Sequence, residues 1–297
     1  MFYRIYFVFF LVIALPGTLH AACLGKIDKG ITVTGQTDYD PFNPNDTTEE
    51  LLLTVRNTGD EACSYALAFR TPDGTAKLGK TLSYFLTSQN GRSLLINTTA
   101  NVPAASRLTR PVPVNGTENF YYRIVIPRGQ FAAPGNFADT LTLELYALDS
   151  SGQSGSTPVD NTTLRLSYTV PQILSVNIKG AGTTTTVDFG ELTLGKQRAV
   201  IIQTRSNHSY DLNISSANQG AMKLTPPVPN RNWTVGYEAR INGQLLDLHN
   251  GASVQKLPPT HSEDASYSLL VTVGDTAKKR AGKYEDVITL QINAAAP

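Results

Sequence analysis

The sequence predicts an all-β protein built from two β-sandwich domains in tandem, the second of which lacks its last strand. Three observations carry this prediction. After residue 22, short runs of alternating apolar and polar side chains are separated by turn residues such as Gly, Pro, Asn and Asp. The length of 297 residues suits two domains. One motif occurs in both halves at corresponding places, which indicates a shared topology. Short strands at regular spacing are typical of immunoglobulin-like sandwiches.

Residues 1–21 have the features of a secretory signal peptide. Arg4 supplies the positive start, residues 5–15 are apolar, and Ala21 is a small residue at the cleavage edge. The apolar run is shorter than the roughly 20 residues of a membrane-spanning helix. The whole sequence has 25 basic and 24 acidic residues, so charge gives no reason to expect nucleic acid as a partner. We expect an exported protein.

Cys23 and Cys63 are the only cysteines. In an oxidising compartment such a pair most simply forms a disulfide. A metal or redox site is the alternative, but the sequence has neither CxxC spacing nor a histidine near them. His208, His249 and His261 follow no metal-ligand spacing, and no nucleophile elbow, phosphate-binding loop or carboxylate pair is present. We therefore expect no enzymatic activity and no cofactor.

Each half contains candidate strands, and Pro171-Gln172 separates the halves. In the first half the strands cover 29–35, 49–57, 63–70, 92–99, 120–127, 139–148 and 162–170. In the second half they cover 173–180, 185–195, 198–206, 210–216, 233–243, 267–275 and 286–294. We therefore predict an N-terminal domain at 22–172 and a C-terminal domain at 173–297. The junction has no Gly/Ser run, which predicts a fairly stiff connection.

The repeated motif reads "GNFADTLTLEL" at 135–145 and "GKYEDVITLQI" at 282–292. The first copy is followed by the strand at 162–170, whereas only four residues follow Asn293. We expect the second sandwich to lack its last strand and to accept one from another chain. Four or five missing buried side chains correspond to roughly 6 to 15 kcal/mol, as much as the whole stability of a domain. The alternative is a fold that simply has one strand fewer.

Four segments, "VDFGELTLGK", "SNHSYDLNISSANQGAMKL", "VGYEARINGQ" and "AGKYEDVITLQINA", follow one another in the second half. In their order and spacing they resemble the spore coat protein U-like pilin domain of archaic (Csu-type) chaperone–usher pili. The segments "YYRIVIPRGQ" and "GNFADTLTLEL" resemble it more weakly, and residues 30–101 match it poorly. The resemblance implies a domain that is held by a periplasmic chaperone, passes an outer-membrane usher and receives a β-strand from the adjacent pilin subunit.

The chain departs from ordinary subunits of that family because a whole domain stands where the donor strand should be. This layout looks like the tip adhesin of such pili, located at the cell surface and attaching to an abiotic surface or a host-cell receptor during biofilm formation. On this reading the donor-strand groove is lined by Val187, Phe189, Ile288, Leu290 and Ile292.

The adhesive surface is expected on loops at the far end of the first domain. Apolar candidates in the loops 38–44, 83–91 and 128–137 are Tyr84, Phe85, Leu86 and Phe131. Three other classes of protein remain open. They are a minor structural pilin or spore coat-like protein without an adhesive role, a two-domain periplasmic chaperone, and a glycosylated cell-surface receptor suggested by Asn-x-Ser/Thr triplets such as that at Asn45.

Overall fold

A computed structural model describes residues 23–27, 31–71, 75–96, 102–261 and 263–295. This part of the chain consists of strands and loops, with one 3-10 turn at Ala104–Ser106 and no α-helix. The prediction of an all-β protein with tandem sandwiches is confirmed. The predicted signal peptide lies outside these ranges. Within them, no helix has the length and apolar character needed to cross a membrane.

The first sandwich is formed by twelve strands. They are β1 (Gly25–Ile27), β2 (Ile31–Thr34), β3 (Thr47–Asn57), β4 (Cys63–Arg70), β5 (Lys77–Leu78), β6 (Leu82–Ser83), β7 (Phe85–Thr87), β8 (Leu95–Ile96), β9 (Leu108–Val112), β10 (Thr117–Ile126), β11 (Gly135–Ala147) and β12 (Asp160–Val170). One sheet has the order β1-β3-β10-β7 and the other β2-β12-β11-β4-β8, with β9 paired to β4, while β5 and β6 pair in a separate two-stranded sheet. Alternate residues of both sheets form one buried core, with Phe69, Tyr122 and Leu143 among its members.

The second sandwich is formed by ten strands. They are β13 (Leu174–Ile178), β14 (Gln197–Ser206), β15 (Tyr210–Ser216), β16 (Ala221–Thr225), β17 (Thr234–Ile241), β18 (Gln244–Leu245), β19 (Ala252–Leu257), β20 (Ala265–Val273), β21 (Lys283–Glu285) and β22 (Ile288–Ala294). The larger sheet has the order β13-β14-β20-β17-β16-β21, with β18 paired to β17, and the smaller one the order β19-β15-β22. Ile202, Leu212 and Val235 lie in its buried core.

Specific contacts connect the two sandwiches. The Asn207 side chain donates a hydrogen bond to the Pro171 carbonyl oxygen at 2.9 Å. The Arg205 guanidinium lies 5.3 Å from the centre of the Phe42 ring. β12 finishes at Val170, directly before Pro171. The side of the first sandwich at which β12 finishes therefore faces the second sandwich.

The opposite end of the first sandwich carries the loops 58–62, 113–116 and 148–159. These loops connect β3 to β4, β9 to β10 and β11 to β12, respectively. The predicted disulfide between Cys23 and Cys63 lies here, with the two Cα atoms 5.8 Å apart. It joins the segment before β1 to the start of β4. We call this end of the molecule the far end.

The sequence predicts β4 at its observed bounds, because eight residues of regular pattern are bounded by turns on both sides. It misses the short strands β1, β5, β6, β7, β9, β16, β18, β19 and β21. The strand predicted at 185–195 is wrong, since these residues belong to no strand and β14 begins only at Gln197. A strand requires a hydrogen-bonded neighbour along its length, whereas in the described chain this segment makes one such bond, from the Gly195 N–H to the Val273 carbonyl oxygen.

Candidate functional site

A groove of about 1090 Å³ runs along the second sandwich. Four of the five residues predicted to line it do so, namely Val187, Phe189, Ile288 and Leu290. Ile292 is not among the lining residues, although it lies on the same strand as Ile288 and Leu290. The remaining apolar walls come from the core-facing side of the larger sheet, with Val200, Met222, Val235, Leu269 and Val271.

One wall of the groove is the edge strand β22. It pairs with β15 from Ile288 opposite Ser216 to Ala294 opposite Tyr210. No other strand of the described chain pairs with β22. In an antiparallel pair the backbone groups of every second residue point away from the partner strand. The free side of β22 therefore presents unpaired N–H and C=O groups, the template that an added strand uses.

The segment at 185–189 also lines the groove. It belongs to no strand, and its threonines are exposed. Val187 is half-buried and Phe189 is buried, so the apolar end of the segment contacts the core. Two segments of β-forming composition thus border one groove, and neither has a strand partner on that side in the described chain.

The first sandwich provides an internal comparison. β11 pairs with β4 as β22 pairs with β15: Leu145 lies opposite Leu67, and Ile292 lies opposite Leu212. On its other side β11 pairs with β12 along eleven residues, from Gly135 opposite Val170 to Leu145 opposite Asp160. The inward side chains of β12 are fully buried: Leu164, Leu166, Tyr168 and Val170. No described strand occupies the corresponding position beside β22.

A tyrosine and an aspartate fix the start of each repeated strand. The Tyr237 hydroxyl donates to Asp286 Oδ2 at 2.7 Å, and the Tyr84 hydroxyl donates to Asp139 Oδ2 at 2.7 Å. Burial raises the pKa of Tyr237; the Ser216 hydroxyl lowers it, and the hydrogen bond to Asp286 raises it further. Tyr237 therefore stays protonated and acts as a permanent donor at the edge of the groove.

The repeated motif begins with a glycine in both copies, and the backbone conformation explains this. Gly135 and Gly282 have φ angles of +153° and +155°, which side-chain-bearing residues rarely adopt. A Cβ atom on Gly282 would also lie 2.4 Å from Leu224 Cδ1. The φ angle therefore favours glycine at this position, and a Cβ atom would in addition require the end of the Leu224 side chain to shift.

The residues predicted to form an exposed adhesive tip divide into two groups. Tyr84 and Leu86 are 1% and 0% exposed, so the prediction that they face solvent is wrong. Tyr84 points inward to reach Asp139, and Leu86 occupies the core-facing position of β7. Phe85 and Phe131 are 54% and 37% exposed. Their side chains can contact a partner.

Phe85 and Phe131 nevertheless do not lie at the far end. The Phe131 ring contacts the His261 ring of the second sandwich, with the ring centres 4.5 Å apart. Phe85 lies opposite Val125. This part of β10 leads into the loop 127–134, which contains Phe131. The loop 38–44 also belongs here, since the Tyr39 backbone N–H donates to the Thr169 carbonyl oxygen. All three predicted adhesive loops thus lie toward the junction.

Three other apolar side chains are exposed at the far end. Leu24, Val114 and Val159 are 52%, 45% and 36% exposed, respectively. The Leu24 carbonyl oxygen accepts hydrogen bonds from the backbone and hydroxyl of Thr58, which holds this segment beside the loop 58–62. The turn residues of the loops 113–116 and 150–156 are visible in the sequence, but only the strand order shows that these loops share one end.

The chemistry of the described side chains gives no metal centre. One group of potential ligands, Cys23, Glu61 and Cys63, comes close together. Its two sulfur atoms are bonded to each other in the disulfide and are therefore not thiolates. The far end is thus a surface of loops and apolar side chains, and the groove a surface of backbone and apolar side chains.

No protein-family model matches the sequence, and no curated protein matches it. Among solved structures, this chain is similar to one chain in the structure of the CsuC–CsuE chaperone–tip adhesion subunit complex from archaic chaperone–usher Csu pili of Acinetobacter baumannii. The identity is 14%, the coverage 90% of this chain and 99% of that chain, and the TM-score 0.47.

It is also similar to the tip adhesin CupB6 of Pseudomonas aeruginosa, with 11% identity, coverage of 92% and 93%, and a TM-score of 0.49. A third similar structure is the CFA/I adhesin of enterotoxigenic E. coli, with 10% identity, coverage of 90% of this chain and 92% of that chain, and a TM-score of 0.36. We base the assignment of function on this chain's own geometry.

Proposed function

We propose that this protein is a pilus tip adhesin that joins its fibre by accepting a β-strand from the adjacent pilin subunit. The observation that carries the proposal is the groove lined by β22 and by residues 185–189. It lies where the first sandwich has β12. Strand addition supplies backbone hydrogen bonds to the free edge and alternate apolar side chains to the groove. The protein is exported and works at the cell surface, in attachment and biofilm formation.

The energetics explain why other partners are needed before assembly. The four buried side chains of β12 contribute about 1.5 to 3 kcal/mol each, so an unfilled groove forgoes roughly 6 to 12 kcal/mol. A domain has only about 5 to 15 kcal/mol of total stability. The second sandwich therefore requires a periplasmic chaperone to cover the groove, and an outer-membrane usher where the chaperone is exchanged for the neighbouring subunit.

A synthetic donor peptide tests the groove. An eleven-residue peptide that alternates Val or Ile with Thr is expected to bind the full-length protein, and at a hundred times its Kd to stabilise the protein by about 2.7 kcal/mol. Fluorescence anisotropy and calorimetric unfolding measure the two effects. A peptide with Ser at the apolar positions is the control.

A pair of variants localises the binding. Leu290→Asp places a charge in the groove and is expected to abolish peptide binding, whereas Ile201→Asp changes an exposed isoleucine of β14 and is expected to leave binding unchanged. If the alternating peptide and the Ser control bind equally weakly and neither raises the unfolding temperature, the strand-acceptor function is wrong.

The adhesive surface is proposed at the far end, around Leu24, Val114 and Val159, because apolar side chains exposed together usually mark an interaction site. Val114→Ser with Val159→Ser is expected to reduce attachment of piliated cells to polystyrene by about tenfold, with pilus number and length unchanged. Phe85→Ser, near the junction, is the matched control. Loss of attachment in the control alone would move the adhesive site to the junction.

A further inference from the structure

A strongly basic loop borders the groove at the start of β22. Residues 275–283 contain four basic side chains and one acidic side chain. Lys279, Arg280 and Lys283 line the groove, and all the basic side chains of the loop are exposed. Lys283 forms an ion pair with Glu285. Among the ion pairs of the described chain, none involves Lys278, Lys279 or Arg280, so their positive charge is available to a partner.

The other charged side chains that line the groove are mostly acidic, namely Asp188, Glu191, Glu285 and Asp286. One further cation, Arg198, lines the groove, and its Nε donates to the Asp188 carbonyl oxygen. Asp286 is held by the hydroxyl groups of Ser216 and Tyr237. Lys279, Arg280 and Lys283 lie within five residues of one another, so the cations that line the groove are concentrated at the loop 275–283.

The topology gives the direction in which an added strand would run. β22 starts beside the basic loop and ends at the junction, where the Ala295 backbone N–H donates to the Ser209 carbonyl oxygen. In the first sandwich the corresponding neighbour, β12, is antiparallel to β11. A strand added antiparallel to β22 has its C-terminal end at the basic loop.

We propose that the strand received by the groove carries acidic side chains directly after its apolar residues, on the C-terminal side, where they contact Lys278, Lys279 and Arg280. This inference rests on the proposed strand-acceptor function and specifies the chemistry of the partner. Complementary charge at the rim of an interface speeds association and fixes register. Here it selects a partner segment by the charge at one of its ends.

Three peptides with the same alternating apolar core test the charge preference on the full-length protein. One has Asp-Asp-Glu after the core, one has Ser-Ser-Ser there, and one has Asp-Asp-Glu before the core. At 50 mM NaCl the first is expected to bind about tenfold more tightly than the other two. At 500 mM NaCl, where screening acts within a few ångströms, this advantage should fall below about twofold.

Two variants of equal net charge serve as a matched pair. Lys278→Ser/Lys279→Ser/Arg280→Ser should remove the advantage of the acidic peptide and leave the Kd of the Ser-flanked peptide unchanged. The control removes three exposed cations from the first sandwich, Arg56→Ser/Lys77→Ser/Arg165→Ser, and should retain the full advantage.

The outcomes separate the two proposals. If no peptide binds, the strand-acceptor function itself fails. If all three bind equally tightly, the groove accepts a strand but the acidic flank is wrong. If acids before the core work as well as acids after it, or if the control variant loses the advantage too, the site and direction of the charge contact are wrong.

Discussion

Replacing Asp286 with alanine is expected to destabilise the second sandwich by about 5 kcal/mol. Its carboxylate accepts hydrogen bonds from the hydroxyls of Ser216 at 2.6 Å and Tyr237 at 2.7 Å, and from the backbone N–H groups of Asn218 at 3.0 Å and Val287 at 2.8 Å. Hydrogen bonds to a charged acceptor contribute about 1.5 to 3 kcal/mol each, and the partly buried hydroxyl groups lose their acceptor as well. Urea unfolding measures the loss.

Hydrogen exchange of the β15 and β22 amides shows where the stability is lost. The matched variant is Asp139→Ala in the first sandwich, whose carboxylate accepts from Tyr84 and from its own neighbour Thr140. It is expected to cost about half as much and to leave exchange in β15 and β22 unchanged. A loss below about 1 kcal/mol for Asp286→Ala would mean that this anchor does not hold β22 in place.

The sequence predicts long strands better than short ones, for a physical reason. Over eight or more residues a two-residue period is unmistakable, and β4 and β10–β12 are predicted within a few residues. β1 and β7 have three residues each, too few to show a period. The segment 185–195 has strand composition but no strand partner, and partners are not visible in the periodicity of one segment.

The position of the groove can be predicted from the sequence because it follows from the repeated motif. The position of the adhesive surface cannot be predicted in this way. Alternation assigns Ile288 and Leu290 to one face, and the first copy of the motif indicates which strand belongs beside that face. The three residues of β7 are too few to show alternation, so the sequence predicts a loop at 83–91 and places Tyr84 and Leu86 at the surface, although the core contains them.

The strand order determines at which end of the first sandwich each predicted loop lies. The loop 127–134 leads into the start of β11, and this start pairs with the end of β12, next to the second sandwich. A loop at that position lies at the junction, whatever its composition. The same reasoning places the loops 58–62, 113–116 and 148–159 together at the opposite end, as far from the groove as the first sandwich allows.

Removing the disulfide by Cys23→Ala with Cys63→Ala is expected to lower the free energy of unfolding of the first sandwich by about 4 kcal/mol. The bridge closes a sequence separation of 40 residues, and its loss frees the unfolded chain. It also holds Leu24 at the far end, where β1 contributes only three residues of pairing.

Stability and attachment should therefore fall together in this variant. Val114→Ser with Val159→Ser should instead reduce attachment and change the free energy of unfolding of the first sandwich, measured in urea, by no more than about 0.5 kcal/mol, as surface substitutions do. Attachment is compared at a temperature at which both variants are folded. If the disulfide variant is destabilised but attaches normally, the position of Leu24 does not matter for binding, and the adhesive surface is confined to the loops that contain Val114 and Val159.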